Sequence, residues 1–297
     1  MTRPILVIGA TGQVGHELMI RGKGTPPALV GVSHRELDIR DKAKVRSTLE
    51  GVAPAAVINV AAYTAVDKAE TERALAFAVN RDGPANLANV CSALTLPLLH
   101  VSTDYVFDGQ KRDAYEETDH ASPLGAYGAS KFEGEEAVRA RLESHVILRT
   151  SWVFSGRGTN FVKTILRASA TRRELRVVDD QRGCPTPASA VAKALLAIAA
   201  QAMHGPVAWG TYHFCGAPPT SWCGFAQAIV EAAAGPRAGR IMVTPIATAE
   251  YPTPARRPSN SVMSCAKIAA AFGISQPSWA ASLPSIVAEL LAEGSAE

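Results

Sequence analysis

The sequence is poor in the features that mark several protein classes. Its five cysteines, Cys91, Cys184, Cys215, Cys223 and Cys265, are odd in number and contain no C-x-x-C pair. That argues against a disulfide framework and a paired-thiol zinc site, and it fits a reducing cytoplasm. No apolar stretch approaches the roughly 18 residues of a membrane span. The apolar run in "MTRPILVIGATGQVG" is too short for the core of a signal peptide and ends in a glycine-rich turn. Charge of one sign is not in excess: 30 basic against 27 acidic residues leave +3. With no dense Lys/Arg run and no aromatic-basic interleaving, nucleic acid is a poor candidate partner. No internal repeat or long low-complexity linker breaks the chain. What remains is 297 residues, 47% of them hydrophobic, which can bury a large core and are long for one compact unit. One large domain plus a smaller lobe is the expectation, in a soluble cytoplasmic enzyme with no membrane partner.

Short β-branched runs recur along the chain. "ILVIG" (5–9), "ALVGVS" (28–33), "AAVINVAA" (55–62), "LPLLHVST" (96–103), "HVILRTS" (145–151) and "LRVVDD" (175–180) are separated by helix-like segments such as "DKAKVRSTLEG" and "GPANLANVCSAL". Continuous apolar runs are those of strands buried on both faces, and their alternation with helices predicts an α/β, doubly wound parallel sheet. After about residue 150 proline and glycine become denser and the alternation weakens, except at 188–202 and 221–235. The pattern predicts a large α/β domain over 1–152 with 172–214 and a smaller α/β lobe over 153–171 with 215–297.

Two short patterns carry the chemistry. "GATGQVG" sets Gly9, Gly12 and Gly15 three residues apart between the first strand and the helix "HELMI". Glycines are needed there for a sharp turn and for close approach of backbone to a pyrophosphate seated on a helix N-terminus. "SPLGAYGASKFEGEEAV" (122–138) sets Tyr127 four residues before Lys131, so a helix brings the two side chains to one face. On spacing alone this is either a proton-delivery pair or a surface helix in which Lys131 meets Glu135 or Glu136.

The spacing G-x-x-G-x-x-G resembles that of the extended short-chain dehydrogenases/reductases, in which a Tyr-x-x-x-Lys pair follows a strand that supplies Ser or Thr. Here that strand ends "HVSTDYVFDG", placing Thr103 at its carboxyl end. The resemblance implies a Rossmann fold and a catalytic set of Thr103, Tyr127 and Lys131. A phenol with a pKa of about 10 is a sluggish acid at neutral pH, and a nearby cation favours its ionised form. Lys131 would supply that charge and hold the nicotinamide ribose, Thr103 would donate to a substrate carbonyl, and Tyr127 would give it a proton.

"NVAAYTAVDKAE" (59–70), "VSTDYVFDG" (101–109), "SPLGAYGASKFEGE" (122–135), "RTSWVFSGRGTNFVKTILR" (149–167), "DQRGCPTPAS" (180–189) and "YPTPARRPSNS" (251–261) resemble, over nearly the whole chain, the dTDP-4-dehydrorhamnose reductase family. The likeness implies reduction of dTDP-4-dehydro-β-L-rhamnose to dTDP-β-L-rhamnose, the last step in making that sugar donor. It implies that Gly9, Gly12, Gln13, Val14 and Gly15 form the pyrophosphate loop and that Asp38 and Ile39 contact the adenine side. Ala62, Tyr63 and Thr64, with Tyr127 and Lys131, would lie along the cofactor, and Thr103, Asp104 and Trp152 would hold the deoxyrhamnose end. Plain readings stand beside these: Trp152 as core, Asp104 as a turn cap, Thr64 as an N-cap. Asn160, Arg256 and Arg257 either bind the anionic nucleotide diphosphate or are ordinary loop residues.

Departures from the family are informative. Where some members resemble metal-bridged dimers using two glutamates, this chain has His16 and Ser189, so no metal site is expected and magnesium dependence is doubtful; a homodimer stays compatible. Cys184 is expected as a buried spectator thiol. A dehydratase or epimerase on the same scaffold would carry "STDEVYG", but Tyr105 stands where its second acid would be. A regulatory dinucleotide-binding subunit would not need an intact Thr103, Tyr127 and Lys131. The second strand ends "VGVSHRELD", with Arg35 near the adenosine ribose and the first acid, Glu36, beyond the strand end. This favours NADPH, with NADH also accepted.

Overall fold

The computed structural model describes residues 3–205, 207–234 and 241–294. Among the described residues, twelve strands and ten α-helices follow one another. In the first half, β1 (Ile5–Ile8), α1 (Gln13–Arg21), β2 (Leu29–Val32), α2 (Lys42–Val52), β3 (Ala56–Asn59), α3 (Arg73–Phe77), α4 (Gly83–Ala93), β4 (Leu98–Thr103), α5 (Ala126–Arg139) and β5 (His145–Thr150) alternate as the apolar runs predict. Then come β6 (Val153–Phe154), α6 (Phe161–Thr171), β7 (Glu174–Val178), β8 (Arg182–Gly183), β9 (Thr186–Pro187), α7 (Ala188–His204), β10 (Gly210–His213), β11 (Thr220–Ser221), α8 (Trp222–Ala234), β12 (Met242–Ile246), α9 (Ala266–Phe272) and α10 (Trp279–Gly294).

Six strands form one parallel sheet in the order β10-β5-β4-β3-β1-β2. Side chains alternate between its faces. Ile5 and Val7 of β1 join Ala56 and Ile58 of β3 in a core with Leu18 of α1 and Val191, Leu195 and Ile198 of α7. Leu6, Ile8 and Val57 point the other way, to Val45 and Leu49 of α2 and Leu87 and Val90 of α4. Burial on both faces is why these strands read as unbroken apolar runs. The strand order turns at β1/β3, and a ligand crevice opens outside the carboxyl ends of the strands at such a point.

Two expectations are corrected. The run at 175–180, expected in the parallel sheet, instead forms β7, which pairs in parallel with β12 in a separate two-stranded sheet. Its Leu175 and Val177 pack with Phe154, Val162, Phe225, Ile229, Trp279, Leu283 and Val287 in the core of the smaller lobe. A short β-branched run states that it is a strand, not which sheet it joins. The sixth sheet strand is β10, whose "GTYH" has no apolar run to announce it. In addition α9, far along the chain, returns to the large sheet's core through Ile268 and Phe272.

Helix α5 is held to the sheet by a buried ion pair. Glu135 and Arg149 are 0% and 2% exposed, and the guanidinium grips the carboxylate in a fork, Nε to Oε1 at 2.9 Å and Nη2 to Oε2 at 2.7 Å. Arg139 adds a bond to Oε2 at 2.6 Å, and the Arg149 guanidinium lies over the Phe107 ring. Burial raises the Glu135 carboxyl, but the bonds and charge of Arg149 outweigh it and leave the group below its usual range. The pair therefore adds stability above the unfolded carboxyl pKa, about 4.3, and that stability is lost as pH falls through the folded value. Removing one partner of such a pair strands the other charge. Arg149→Met is expected to lower the unfolding free energy by about 3 to 5 kcal/mol in urea titrations at pH 7; a loss below about 1 kcal/mol would show that the pair contributes nothing net.

Candidate active site

The turn from β1 into α1 shows what each glycine does. Gly9 has φ +88°, and a Cβ there would lie 2.7 Å from Ala61 N on the neighbouring strand's extension. A Cβ on Gly15 would lie 2.2 Å from Gly9 O. Both are demanded by packing. Gly12 differs: the nearest atom to a Cβ there is Gly9 O at 3.4 Å, and as N-cap of α1 it offers no side-chain cap. The first-turn amides of Gln13, Val14 and Gly15 lack intrahelical acceptors, and that turn holds no acid. A diphosphate fits this helix end by charge, by donors and by room.

At the end of β2 the structure changes one reading. Glu36 does not stay beyond the strand; its Oε2 accepts hydrogen bonds from Ser33 N and Ser33 Oγ, both at 2.7 Å. Ser-x-x-Glu closes on itself as a capping box does, which the one-dimensional distance from the strand end conceals. The Ser33 backbone bond, then its hydroxyl, lower the Glu36 carboxyl, so a carboxylate sits beside exposed Arg35. Asp38 is gripped by Arg40 at 2.6 Å, whose hydrogen bond lowers its carboxyl. Ile39 is 3% exposed and packs in the core, leaving its backbone for any adenine contact.

Beyond β3, the segment containing Ala62, Tyr63 and Thr64 is held by a residue that sequence reading missed. Asn80, fully buried in a π-helical turn at 78–82, accepts from Tyr63 N at 2.8 Å and donates to Tyr63 O at 3.0 Å. Its amide also donates to Ser130 Oγ of α5 at 3.0 Å. The only signal for it in the sequence is a polar residue inside a helical stretch just before Gly83-Pro84. Tyr63 Oη donates to Glu72, and Thr64 is exposed and caps no helix.

The expected catalytic side chains come together at the carboxyl end of β4. Thr103 Oγ1 donates to Asp104 Oδ1 at 3.0 Å and accepts from Tyr105 N at 3.2 Å. Tyr127, in the first turn of α5, packs against the edge of Tyr105 with centroids 5.7 Å apart. Burial pushes its phenol up to about 12, and a hydrogen bond with Thr103 pulls the other way. Lys131 is 2% exposed. Burial pushes its amine down to about 8, opposed by Glu135. Its partners among the described residues are Val101 O at 2.7 Å and His100 Nε2 at 3.5 Å, with Asn59 Nδ2 behind the imidazole at 3.0 Å. The Tyr127 phenol is not among those partners. Helix α5 itself starts where Glu70, from the "VDKAE" segment, accepts from Ala126 N at 2.7 Å, a distant carboxylate completing a helix N-terminus.

Asp104 is 1% exposed, and among the described residues its Oδ2 is buried without a partner. Burial pushes the carboxyl up to about 6. Trp152 has left-handed backbone, φ +47°, which in a non-glycine residue costs about 1 to 3 kcal/mol. Its ring stacks on Trp222 at 3.5 Å and 6°, and a Cβ on Gly183 would lie 2.4 Å from it. The strained Trp152 is thus fixed in an aromatic cluster whose other member, Trp222, sequence reading missed. Arg257 is paired with Asp67 at 2.8 Å and Arg256 is exposed on the same loop. Asn160 has a structural role of its own. It is the N-cap of α6, accepting from Lys163 N at 3.1 Å, and its amide donates to Ser155 O and Gln13 Oε1.

A parallel sheet with an open glycine loop at its switch point and Thr103, Tyr127 and Lys131 one strand further defines the class: Rossmann-type, dinucleotide-dependent oxidoreductases. Within that class the chain belongs to the dTDP-4-dehydrorhamnose reductase family. It matches the RmlD substrate binding domain over residues 2–292. It is 42% identical to a dTDP-4-dehydrorhamnose reductase of Sinorhizobium fredii across 98% of each chain. The crystal structure of a dTDP-4-dehydrorhamnose reductase from Clostridium acetobutylicum superposes with a TM-score of 0.91 at 35% identity, covering 97% of this chain and 99% of that one. One from Bacillus anthracis, solved in complex with NADP, superposes with a TM-score of 0.88 at 32% identity, covering 97% and 100%.

The glycine loop yields a paired expectation. Gly15→Ala should lose about 1 to 3 kcal/mol of stability through backbone overlap, read by thermal melting. Gly12→Ala should melt close to the parent yet bind NADPH at least about tenfold more weakly, read by quenching of tryptophan fluorescence. Equal cofactor affinity in parent and Gly12→Ala would mean that the diphosphate does not pass Gly12.

Proposed function

We propose that the protein reduces dTDP-4-dehydro-β-L-rhamnose to dTDP-β-L-rhamnose with NAD(P)H. The observation that carries this reading is the convergence of Thr103, Tyr127 and Lys131 at the carboxyl end of β4, beside the glycine loop, in a chain that aligns with reductases of that name over nearly its whole length. When bound, the dihydronicotinamide supplies the hydride.

The chain's own groups supply position and the proton. With its phenol raised to about 12, Tyr127 is protonated at neutral pH, the state a donor to the C4 carbonyl oxygen requires. Thr103 Oγ1, placed by the bond it accepts from Tyr105 N, would turn its single proton from Asp104 Oδ1 to the same oxygen. Lys131 serves the nicotinamide ribose and favours the tyrosinate left after proton transfer. The unpartnered Asp104 Oδ2 and the Trp152 ring suit a sugar hydroxyl and a sugar face. Tyr105, packed on Tyr127, offers no carboxylate for a dehydratase's acid-base step, which supports net reduction.

Absorbance loss at 340 nm with the nucleotide 4-keto sugar is the direct assay, and no turnover of it above background would refute the proposal. Tyr127→Phe should fall by about a hundredfold or more in kcat with cofactor binding retained. Because kcat/KM reports groups of the free enzyme, and burial holds Lys131 near 8, kcat/KM should decline as pH rises through about 8. Lys131→Met should be weak throughout and lack that limb.

Cofactor choice is set between Arg35, which favours a 2′-phosphate, and the folded-back Glu36, which opposes it. NADPH should be preferred with NADH still active; Arg35→Ala should narrow the ratio of kcat/KM values and Glu36→Gln widen it. Unchanged ratios in both variants would remove this corner from cofactor selection. With His16 and Ser189 in place of carboxylates, activity and sedimentation should be indifferent to EDTA.

A further inference from the structure

The loop that opens α1 is tied to the smaller lobe through one side chain. Gln13 Oε1 accepts from Ser155 Oγ at 2.9 Å and from Asn160 Nδ2 at 3.0 Å, across 142 and 147 positions of sequence. Both donors are buried. Gly158, between them, has φ +66° and comes so close that a Cβ would lie 3.1 Å from Gln13 Cγ.

Both donors belong to one turn, in which Arg157 O is a second acceptor for Ser155 Oγ at 3.1 Å and for Asn160 Nδ2 at 3.3 Å. Asn160 also caps α6 through Oδ1 and donates to Ser155 O at 2.8 Å, while Ser155 Oγ accepts from Arg157 N at 3.1 Å. Helix α6 then contributes Val162 and Ile165 to the core of the smaller lobe. Upstream, the same segment is continuous with β6 and Trp152. A movement of Gln13 is therefore transmitted to the first turn of α6 and to the 152–160 segment.

We infer that Gln13 is a positioning residue for the substrate lobe: a diphosphate seated on the α1 N-terminus fixes Gln13, and through Ser155 and Asn160 fixes the segment carrying Trp152, so that dinucleotide and nucleotide sugar bind with positive coupling. The inference rests on the proposed assignment of those two sites. A segment ordered by the first ligand costs the second less to order. Linkage makes the gain identical in either order of addition.

Calorimetric titrations with NADP+ and with dTDP, each alone and each with the other saturating, test it. The parent should show each ligand tightening the other by the same factor, roughly fivefold to twentyfold. The factor should fall to about 1 in Gln13→Met, Ser155→Ala and Asn160→Ser. Serine keeps an N-cap acceptor for α6 but removes the amide that reaches Gln13, so loss of coupling there cannot be charged to a frayed helix. NADP+ affinity measured alone should stay within about threefold in Ser155→Ala and Asn160→Ser. The Gln13→Met, Asn160→Ser double variant should be no worse than either single one, as for residues acting through one bond network. A parent factor near 1, or coupling that survives in all three variants, overturns the inference. Failure of the parent to bind dTDP at all overturns the substrate reading and this inference with it; failure of coupling with both ligands bound overturns the inference alone.

Discussion

The candidate site depends on the fork between Arg149 and Glu135. Tyr127 and Lys131 lie on α5, and α5 is anchored to the sheet by a carboxylate with no exposure held by a guanidinium from β5. Such pairs cost desolvation and repay it only when geometry is good. Here the fork has three bonds and a ring face beneath the guanidinium. Its return is placement: the helix cannot rotate or slide without stranding a charge. Glu70 at the start of α5 and Asn80 against Ser130 constrain the same helix from the side of β3, so the face carrying Tyr127 and Lys131 is set from both sides.

Burial does much of the chemical tuning. It pushes Tyr127 up, Lys131 down and Asp104 up, in each case toward the neutral form. Lys131 is turned to Val101 O and His100, not to the phenol.

Between the glycine loop and the smaller lobe lie residues held by close packing and hydrogen bonds. Trp152 is held in strained backbone by Trp222 and Gly183, Asn160 by four hydrogen bonds, and Arg257 by Asp67. Strain of this kind persists only where surrounding packing over-determines it. Such a seam suits a cleft that must present a fixed wall to a sugar while joining elements far apart in sequence.

The alternation of apolar runs, the glycine triplet and the order Thr103, Tyr127, Lys131 were legible without coordinates, because each is a local demand: burial on both faces, a turn without side chains, one face of a helix. The sequence by itself therefore determined the parallel sheet, the tight glycine turn and the placing of Thr103, Tyr127 and Lys131 at one strand end. Non-local facts were not legible. That β7 joins β12 instead of the large sheet, that β10 completes that sheet, that Glu36 folds back on Ser33, and that Asn80, Trp222 and Glu70 support the site all depend on which surfaces meet. Asn160 shows the division most clearly. That its amide reaches Gln13, 147 positions away, was decided by the packing of the smaller lobe against α1, since a polar group that becomes buried must take the partner the fold brings to it.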